Sequence, residues 1–533
     1  MTSSTTPVSS RIAFFALLAG AVFGASSTGC AIFGSDDSSA PPTQDTAMPS
    51  RDDNDGGAKA PAVGGPADSS ELTDALGVFV SPSGDDRANG NHDHPLASIQ
   101  AAIDLAKRIG KRVYVCSGTF HEALTLADSI SVIGGLTCVD NDWRVGAEHT
   151  RIEASTSPAV RAQNITTPTR LESLDIVAPD ATAPSGSSIG LLADHTTGLT
   201  IASSKITAGN AANGANGKDG IQLSNAATVD GAAGWDQISC TTSGGCNHDI
   251  RGFWANPPRG KQGANVCVGA PGFVAESGGF GGSGGLYQID LNGPITTVDL
   301  YQGSALYKAE PGDHAHTSGP GVNGADGTSA PINLTITAQG FSPIDGTPGK
   351  DGAPGAGGSG GDGFASTTND QHVGDVWTGW TGAGGGAGGC PGLAGSAGTG
   401  GGASISAILV ESPVAFDAVE LHSARGGAGG LGSFGSSPTA GGAAGTNSQS
   451  SLIPSRTAQP GGHGGAAGIS GNGANGPSLG IAYVGAKPVI DAQTKITPGA
   501  PAPAIDARSR TTVGIAKTIP ATPAGISKDI LAL

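Results

Sequence analysis

The chain has 533 residues, including 91 Gly and 34 Pro, with 4% aromatic side chains and 27 Lys and Arg against 44 Asp and Glu, a formal charge of −17. That acidic balance, with no Lys/Arg stripe to release counterions, excludes phosphate-backbone binding, and nucleic acid is set aside as a partner. Glycine far above the usual ~7%, with Ala, Val, Ile and Leu as the main apolar stock, excludes an aromatic-packed core and points to stacked repeats with thin cores.

In chain order, Arg11 precedes the apolar run Ile12 to Ala25, which is too short to span a bilayer as a mature helix and reads as an export signal. Ser27-Thr28-Gly29-Cys30 follows and resembles a bacterial lipobox, with Ser27 standing where an aliphatic is usual. Residues 1–30 are therefore expected to be a signal peptide with lipidation at Cys30, the alternative being an ordinary signal peptide cut nearby. Residues 31–75, rich in Ser, Asp, Pro, Ala and Gly, hold too few large apolar groups to bury a core and read as a disordered tether. The main domain is expected over 76–499. It opens with the apolar strand Gly77-Val78-Phe79-Val80, then a turn-rich stretch, then a helix from Ser98 whose apolar positions 99, 102, 103 and 106 share one face. Short strands follow at Val113 to Cys116, Leu124 to Leu126 and Ile130 to Gly135.

From Val78 to about Trp143 this order resembles the start of pectate-lyase-like β-helix domains. The resemblance implies an all-β fold, a right-handed parallel β-helix (solenoid) with a short N-terminal capping helix; it implies no particular chemistry, because that fold hosts many functions. Cys116 and Cys138 lie about one coil apart, and adjacent coils are about 4.8 Å apart, within disulfide reach, so a Cys116–Cys138 bridge is expected. Ser188 to Gly209 echoes Ser478 to Gly499 without a gap, and a related stretch begins at Ser404, so each unit fills one coil. Glycine-rich insertions separate these units, with Gly at every third residue from Gly349 to Gly358 and from Gly386 to Gly401. That period suits polyproline-II strands; disordered loops remain the alternative, and a collagen trimer is disfavoured by short, Pro-poor runs. An inserted subdomain is expected at about 234–330, and residues 500–533 are either a final coil or a tail. With the lipobox, the cap and the coils, the insertions resemble the glycine-rich PGRS-type lipoproteins of myxobacteria.

Six cysteines remain after Cys30, an even number that fits disulfides in an exported protein. Cys240 with Cys246 would close a small loop, and Cys267 with Cys390 would staple a glycine tract to the body; zinc is the alternative for these four. The weak metal candidates are Asp313, His314 and His316, and the paired His92 and His94 lie in the capping loop. Trp377 and Trp380 are candidates for stacking on sugar rings, the alternative being anchors of the insertion. Asp290 and Asp299 flank a strand pair without a basic partner, and Gly360-Gly361-Asp362-Gly363 matches a calcium nonapeptide only once. No catalytic residue and no cofactor emerges. The expected function is a non-enzymatic, lipid-anchored cell-envelope protein with a structural, adhesion or matrix role, exported to the outer membrane or cell surface, with extracellular polysaccharide or envelope proteins as partners; the alternative is a polysaccharide-binding or polysaccharide-cleaving β-helix.

Overall fold

The computed structural model describes residues 69–533 except 140–141, 236–238, 242–244, 247–258, 285, 289–308, 333, 364–375, 379, 447–456 and 513. The chain is mostly β, and its strands fall into three long parallel sheets visited in rotation. The first sheet holds Gly77–Val80, Arg112–Cys116, Val132–Val139, Thr169–Glu172, Leu199–Ala202, Ala415–Asp417 and Val489–Ile490. The second holds Gly118–Phe120, Thr150–Glu153, Leu174–Val177, Lys205–Thr207, Glu420–His422 and Lys495–Thr497. The third holds Leu124–Thr125, Val160–Gln163, Ser188–Asp194, Ser404–Val410, Ser478–Val484 and Ser527–Ala532.

Register stacks like on like. In the first sheet Val78, Val113, Val132, Leu171, Ile201, Phe416 and Ile490 form one column. In the second, Phe120, Ile152, Ile176, Ile206, Leu421 and Ile496 do the same. In the third the column is Leu124, Val160, Leu191, Ala407, Ile481 and Ile530. These columns meet in one core, so each circuit of three short strands is stable only because neighbours above and below cover it. The helix Ile99–Ile109 closes one end of that core through Ile99, Ala102, Ile103 and Ala106. Ser98 caps its N-terminus, and Gly110, at φ 69°, ends it in the left-handed conformation.

A second column fixes where each circuit closes. Ser188, Ser404, Ser478 and Ser527 are in register at the starts of successive strands of the third sheet. The Ser188 hydroxyl accepts from Gly209 N, Ser404 donates to Gly209 O and accepts from Ala424 N, and Ser478 donates to Ala424 O. The echo starting at 188, 404 and 478 is thus three circuits in register. The outer face of this sheet is also covered: Ile189, Leu192, Ile405, Ile408, Leu479 and Ala482 pack against Ile336 and Phe341 of the hairpin Thr335–Thr337 and Gly340–Ser342.

The glycine tracts are ordered, which removes the disordered-loop alternative. They run as extended segments that exchange backbone hydrogen bonds at three-residue intervals. The segment 381–402 is central. Its Gly389, Gly392 and Gly398 donate to Gly462, Gly465 and Gly471; its Gly382 and Gly385 donate to Gly282 and Gly279; and its carbonyls at 389, 392 and 398 accept from Gly355, Gly352 and Gly346. A Cβ on Gly382, Gly388 or Gly402 would lie 1.8 Å from a neighbouring carbonyl oxygen, so the close approach requires glycine. The single chain supplies every segment, so the lateral partners that a collagen trimer would take from other chains are intramolecular. Residues 259–283 and 309–330 lie within this bundle, so those stretches are not the separate subdomain expected over 234–330.

Two further boundaries move. Ser69–Glu71 forms a short 3-10 turn, and Leu72 packs against the cluster of Phe79, Tyr114, Ile133, Leu136 and Trp143. The tether expectation therefore applies up to residue 68, outside the described residues. The described residues of 500–533 are ordered: Ser527–Ala532 extends the third sheet beside Ser478–Val484, and the hairpin Arg508–Thr512 and Ile515–Ile519 packs on the glycine bundle.

Candidate functional surface

Sheet register that stacks aliphatics inward also stacks charge outward. One position before the buried column of the second sheet, Arg151, Asp175, Lys205, Glu420 and Lys495 follow one another on successive strands, alternating in sign. Opposite charges on adjacent strands favour this register, and like charges would oppose a slip. Arg151 donates from Nη1 to Asp175 Oδ2 at 2.7 Å and from Nε to Glu153 Oε1 at 2.8 Å. His121 lies 3.3 Å from the other Glu153 oxygen. The hydrogen bond from Arg151 holds the Glu153 carboxyl below the usual carboxylate range and raises the Arg151 guanidinium in turn. Both groups are therefore held in their charged forms, which suits an ion ladder better than proton transfer. On the first sheet Arg170 Nε pairs with Glu172 at 2.8 Å.

The histidine candidates are all engaged by nearby groups. His314 Nε2 lies 2.8 Å from Asp362, whereas His316 lies between Glu276 at 2.9 Å and Asp313 at 3.3 Å. Asp313 and His316 thus meet each other while His314 turns to Asp362, so the three candidates do not gather at one point, and among the described residues no group of three His, Cys, Asp or Glu side chains could hold a metal ion. His92 contacts Asp74 at 2.9 Å and Asp93 at 3.3 Å, and His94 bonds Asn91. His94 is thus held within its turn, and His92 ties the turn to Asp74 and packs against the Phe79 ring.

Cys116 and Cys138 are joined, as the one-circuit spacing predicts, with Cα atoms 5.7 Å apart. Cys267 and Cys390 are also joined, at 5.8 Å, which removes zinc as an account of that pair. Cys390 is fully buried in the central glycine segment, so this bond staples an outer loop to the bundle interior. Cys240 and Cys246 are opposed in the short ladder of Ser239–Thr241 with Gly245–Cys246. Their side chains lie outside the described ones. Trp377, in the strand Val376–Thr378, pairs through its backbone with Ser239 and Tyr287; its side chain likewise lies outside the described ones. Trp380 is half-buried, next to Thr381, whose hydroxyl accepts from the backbone of exposed Trp235. Cys30, Asp290 and Asp299 fall outside the described residues.

A signal missed in the sequence is an Asn or Asp immediately before a bundle glycine. The side-chain oxygens of Asn213 and Asn216 accept from the backbones of Ala428 and Leu431, each 215 residues on. Asn323 and Asp326 accept from Ala466 and Ile469, each 143 residues on. In these triplets glycine allows close approach, and the preceding side chain satisfies a backbone N–H that the three-residue ladder leaves free. The constant offset shows that these segments run parallel and in register.

No family model, no curated protein and no solved structure matches the chain. Among the described residues no helix is long and apolar enough to cross a membrane.

Proposed function

We propose that this chain is a non-enzymatic cell-envelope lipoprotein, anchored through Cys30, whose three parallel sheets follow a right-handed β-helix and whose glycine tracts form a polyproline-II-like bundle. The carrying observation is that the glycine tracts are ordered by their own backbone and joined to the circuits. The segment after Lys205–Thr207 leaves the stack at Gly209 and returns at Ser404, with Ser404 bonded back to Gly209. A rigid insertion of this kind, set on a core closed at one end by a helix, suits presentation of a wide polar surface. The three-residue spacing of the lateral bonds supports the polyproline-II reading, since that helix repeats every three residues. The resemblance to PGRS-type lipoproteins supports the envelope assignment, and the Cys116–Cys138 and Cys267–Cys390 bonds fit an oxidising compartment.

A polysaccharide partner is favoured by the charged outer column from Arg151 to Lys495 and by exposed Trp235 beside half-buried Trp380. Binding and cleavage separate in one experiment. The full chain is incubated with acidic and neutral envelope polysaccharides, and both retention and release of new reducing or unsaturated ends are followed. The proposal expects retention or no interaction without chain scission. Turnover of any of them, lost in Arg151→Ala, would replace it with the enzyme reading.

A further inference from the structure

The chain contains seven Asn–Gly pairs, beginning at Asn89, Asn213, Asn216, Asn292, Asn323, Asn472 and Asn475. This dipeptide deamidates spontaneously, because glycine has no side chain to keep its backbone nitrogen away from the preceding amide. The Gly nitrogen loses its proton to solvent and attacks Asn Cγ; the new N–Cγ bond closes a succinimide, and Nδ2 takes up a proton and leaves as ammonia. Water then opens the ring to Asp or to isoaspartate, whose main chain is one atom longer. Five of the pairs lie in the glycine bundle, and in each both reacting groups are tied to a distant segment. Asn213 Oδ1 accepts from Ala428 N at 2.9 Å while Gly214 N donates to Ala428 O at 2.8 Å, so the side chain and the next N–H grip one residue by its two backbone groups. Asn216 with Gly217 holds Leu431 in the same way, and Asn323 with Gly324 holds Ala466. Asn472 and Asn475 accept from Gly432 N and Gly429 N, and Gly473 and Gly476 donate to Gly430 O and Gly427 O. Burial is not the common factor: Asn472 and Asn475 are buried, whereas Asn213, Asn216 and Asn323 are exposed. Asp230 and Asp326 fill the same place, accepting from Ala443 N and Ile469 N, so the clamp needs only the side-chain oxygen. Asn89 differs. It is exposed in the capping loop, its Oδ1 accepts from Asn91 N at 3.2 Å and Gly90 N donates to His94 O at 3.1 Å, so these bonds stay within one turn. Asn292 lies outside the described residues.

We infer that Asn89 is a deamidation site of the folded chain and that the clamps hold the Asn–Gly pairs of the bundle inert. For Gly214 N to lose its proton and meet Asn213 Cγ, the N–H must leave Ala428 O and the side chain must leave Ala428 N. Both bonds belong to a ladder that continues through Asn216 and Leu431, so the opening is shared with neighbouring triplets. At Asn89 a fluctuation of one surface turn suffices, and such turns open at the low end of the free-energy range. Reaction through an open state slows by the population of that state, so an opening cost of about 2.8 kcal/mol gives about 100-fold protection at 1.4 kcal/mol per tenfold. Isoaspartate at Asn213 would add one main-chain atom between triplets and shift every later contact of the segment out of its three-residue register, which is the damage the clamps prevent.

The test is a time course of the full chain at mildly alkaline pH, with Asp and isoaspartate at each pair counted by peptide mapping and mass spectrometry, beside the same chain unfolded in guanidinium with reductant. In the folded chain Asn89 should convert first, and Asn213, Asn216 and Asn323 should convert about 100-fold more slowly than in the unfolded chain although they are exposed. Ala428→Pro removes the N–H that Asn213 accepts from while suiting an extended segment, and should speed Asn213 about tenfold, the weight of one hydrogen bond, with Asn216 and Asn323 within about threefold of wild type. Ala466→Pro repeats the test at Asn323, with Asn213 as its control. A variant that speeds all three alike has opened the bundle, and protection lost with the bundle supports the inference. Conversion of Asn213, Asn216 and Asn323 at nearly the unfolded rate, Asn89 no faster than they are, or no rise at Asn213 in Ala428→Pro would overturn it.

Discussion

Adding one methyl group at Gly388 should unlock a defined part of the glycine bundle. A Cβ there would lie 1.8 Å from the carbonyl oxygen of Gly355 and 2.4 Å from its carbon, and neither belongs to a flexible side chain. Relief needs a displacement of more than about 1 Å, because real contacts of this kind close only to van der Waals distance. The segment 352–358 would have to move, and it is held to 386–392 by Gly352 N to Gly392 O, Gly355 N to Gly389 O and Gly358 N to Gly386 O, each 2.9 Å. Losing three backbone bonds at about 1 kcal/mol each gives about 3 kcal/mol, within the range for overpacking a tight interior. Gly388→Ala should therefore raise amide exchange in 352–358 and 386–392 about 100-fold, read by hydrogen exchange and mass spectrometry. Gly319→Ala is the control. Its added Cβ meets only Thr317 Oγ1, at 3.5 Å, so exchange should change by less than about threefold. Equal, small effects at both positions would refute the claim that close backbone approach, and not composition alone, requires these glycines.

Other consequences can be checked directly. Ser404→Ala removes a buried donor to Gly209 O at 2.7 Å and an acceptor for Ala424 N at 2.8 Å, and should cost about 1–3 kcal/mol in denaturant titration. Replacing Cys267 and Cys390 by Ser opens a loop of 123 residues and should cost about 4–5 kcal/mol on the loop-entropy account, seen as a lower melting temperature that reductant no longer changes at this site. At Asp128, burial pushes the carboxyl up, but hydrogen bonds from the Thr167 backbone and hydroxyl and from the Thr166 and Ser129 backbones outweigh it and hold the group below its usual range. A depressed carboxyl contributes stability that is present above the ordinary value of 3.8 and is lost as pH falls through the folded-state value. Asp128→Asn should flatten the acid limb of the melting-temperature profile, and an unchanged acid limb would contradict the assignment.

The circuits were legible because they carry apolar periodicity. Val78, Val113 and Val132 sit in short apolar runs, and the Ser188, Ser404 and Ser478 units align by eye because each repeats the same inward and outward pattern. The Cys116–Cys138 pairing followed from that spacing. The bundle was illegible by the same criterion: segment 381–402 is held by backbone groups and has few apolar side chains for a hydropathy pattern to register. Its signal lay in triplets such as Asn213-Gly214 and Asp326-Gly327, which couple a side-chain acceptor to a glycine contact across more than a hundred residues. Nothing local marks the partner, and so the order of the tracts needed three dimensions; for Cys267 and Cys390 the sequence offered both the disulfide and zinc, and the geometry decides for the bond. Residues 500–533 were ambiguous for a related reason. Ser527–Ala532 is a strand only by virtue of its neighbour Ser478–Val484. The weak metal candidates Asp313, His314 and His316 carry no marker of their partners in the sequence, because Glu276 and Asp362, which meet the two rings, lie tens of residues away.

The central claim, an envelope scaffold held by a lipid at Cys30, is tested most directly by intact mass and detergent partition of the natively expressed protein beside Cys30→Ala. The account predicts a diacylglycerol-sized mass increase and a detergent-phase protein, both lost in the variant. A wild-type protein without added lipid, recovered from the medium in the aqueous phase, would contradict it.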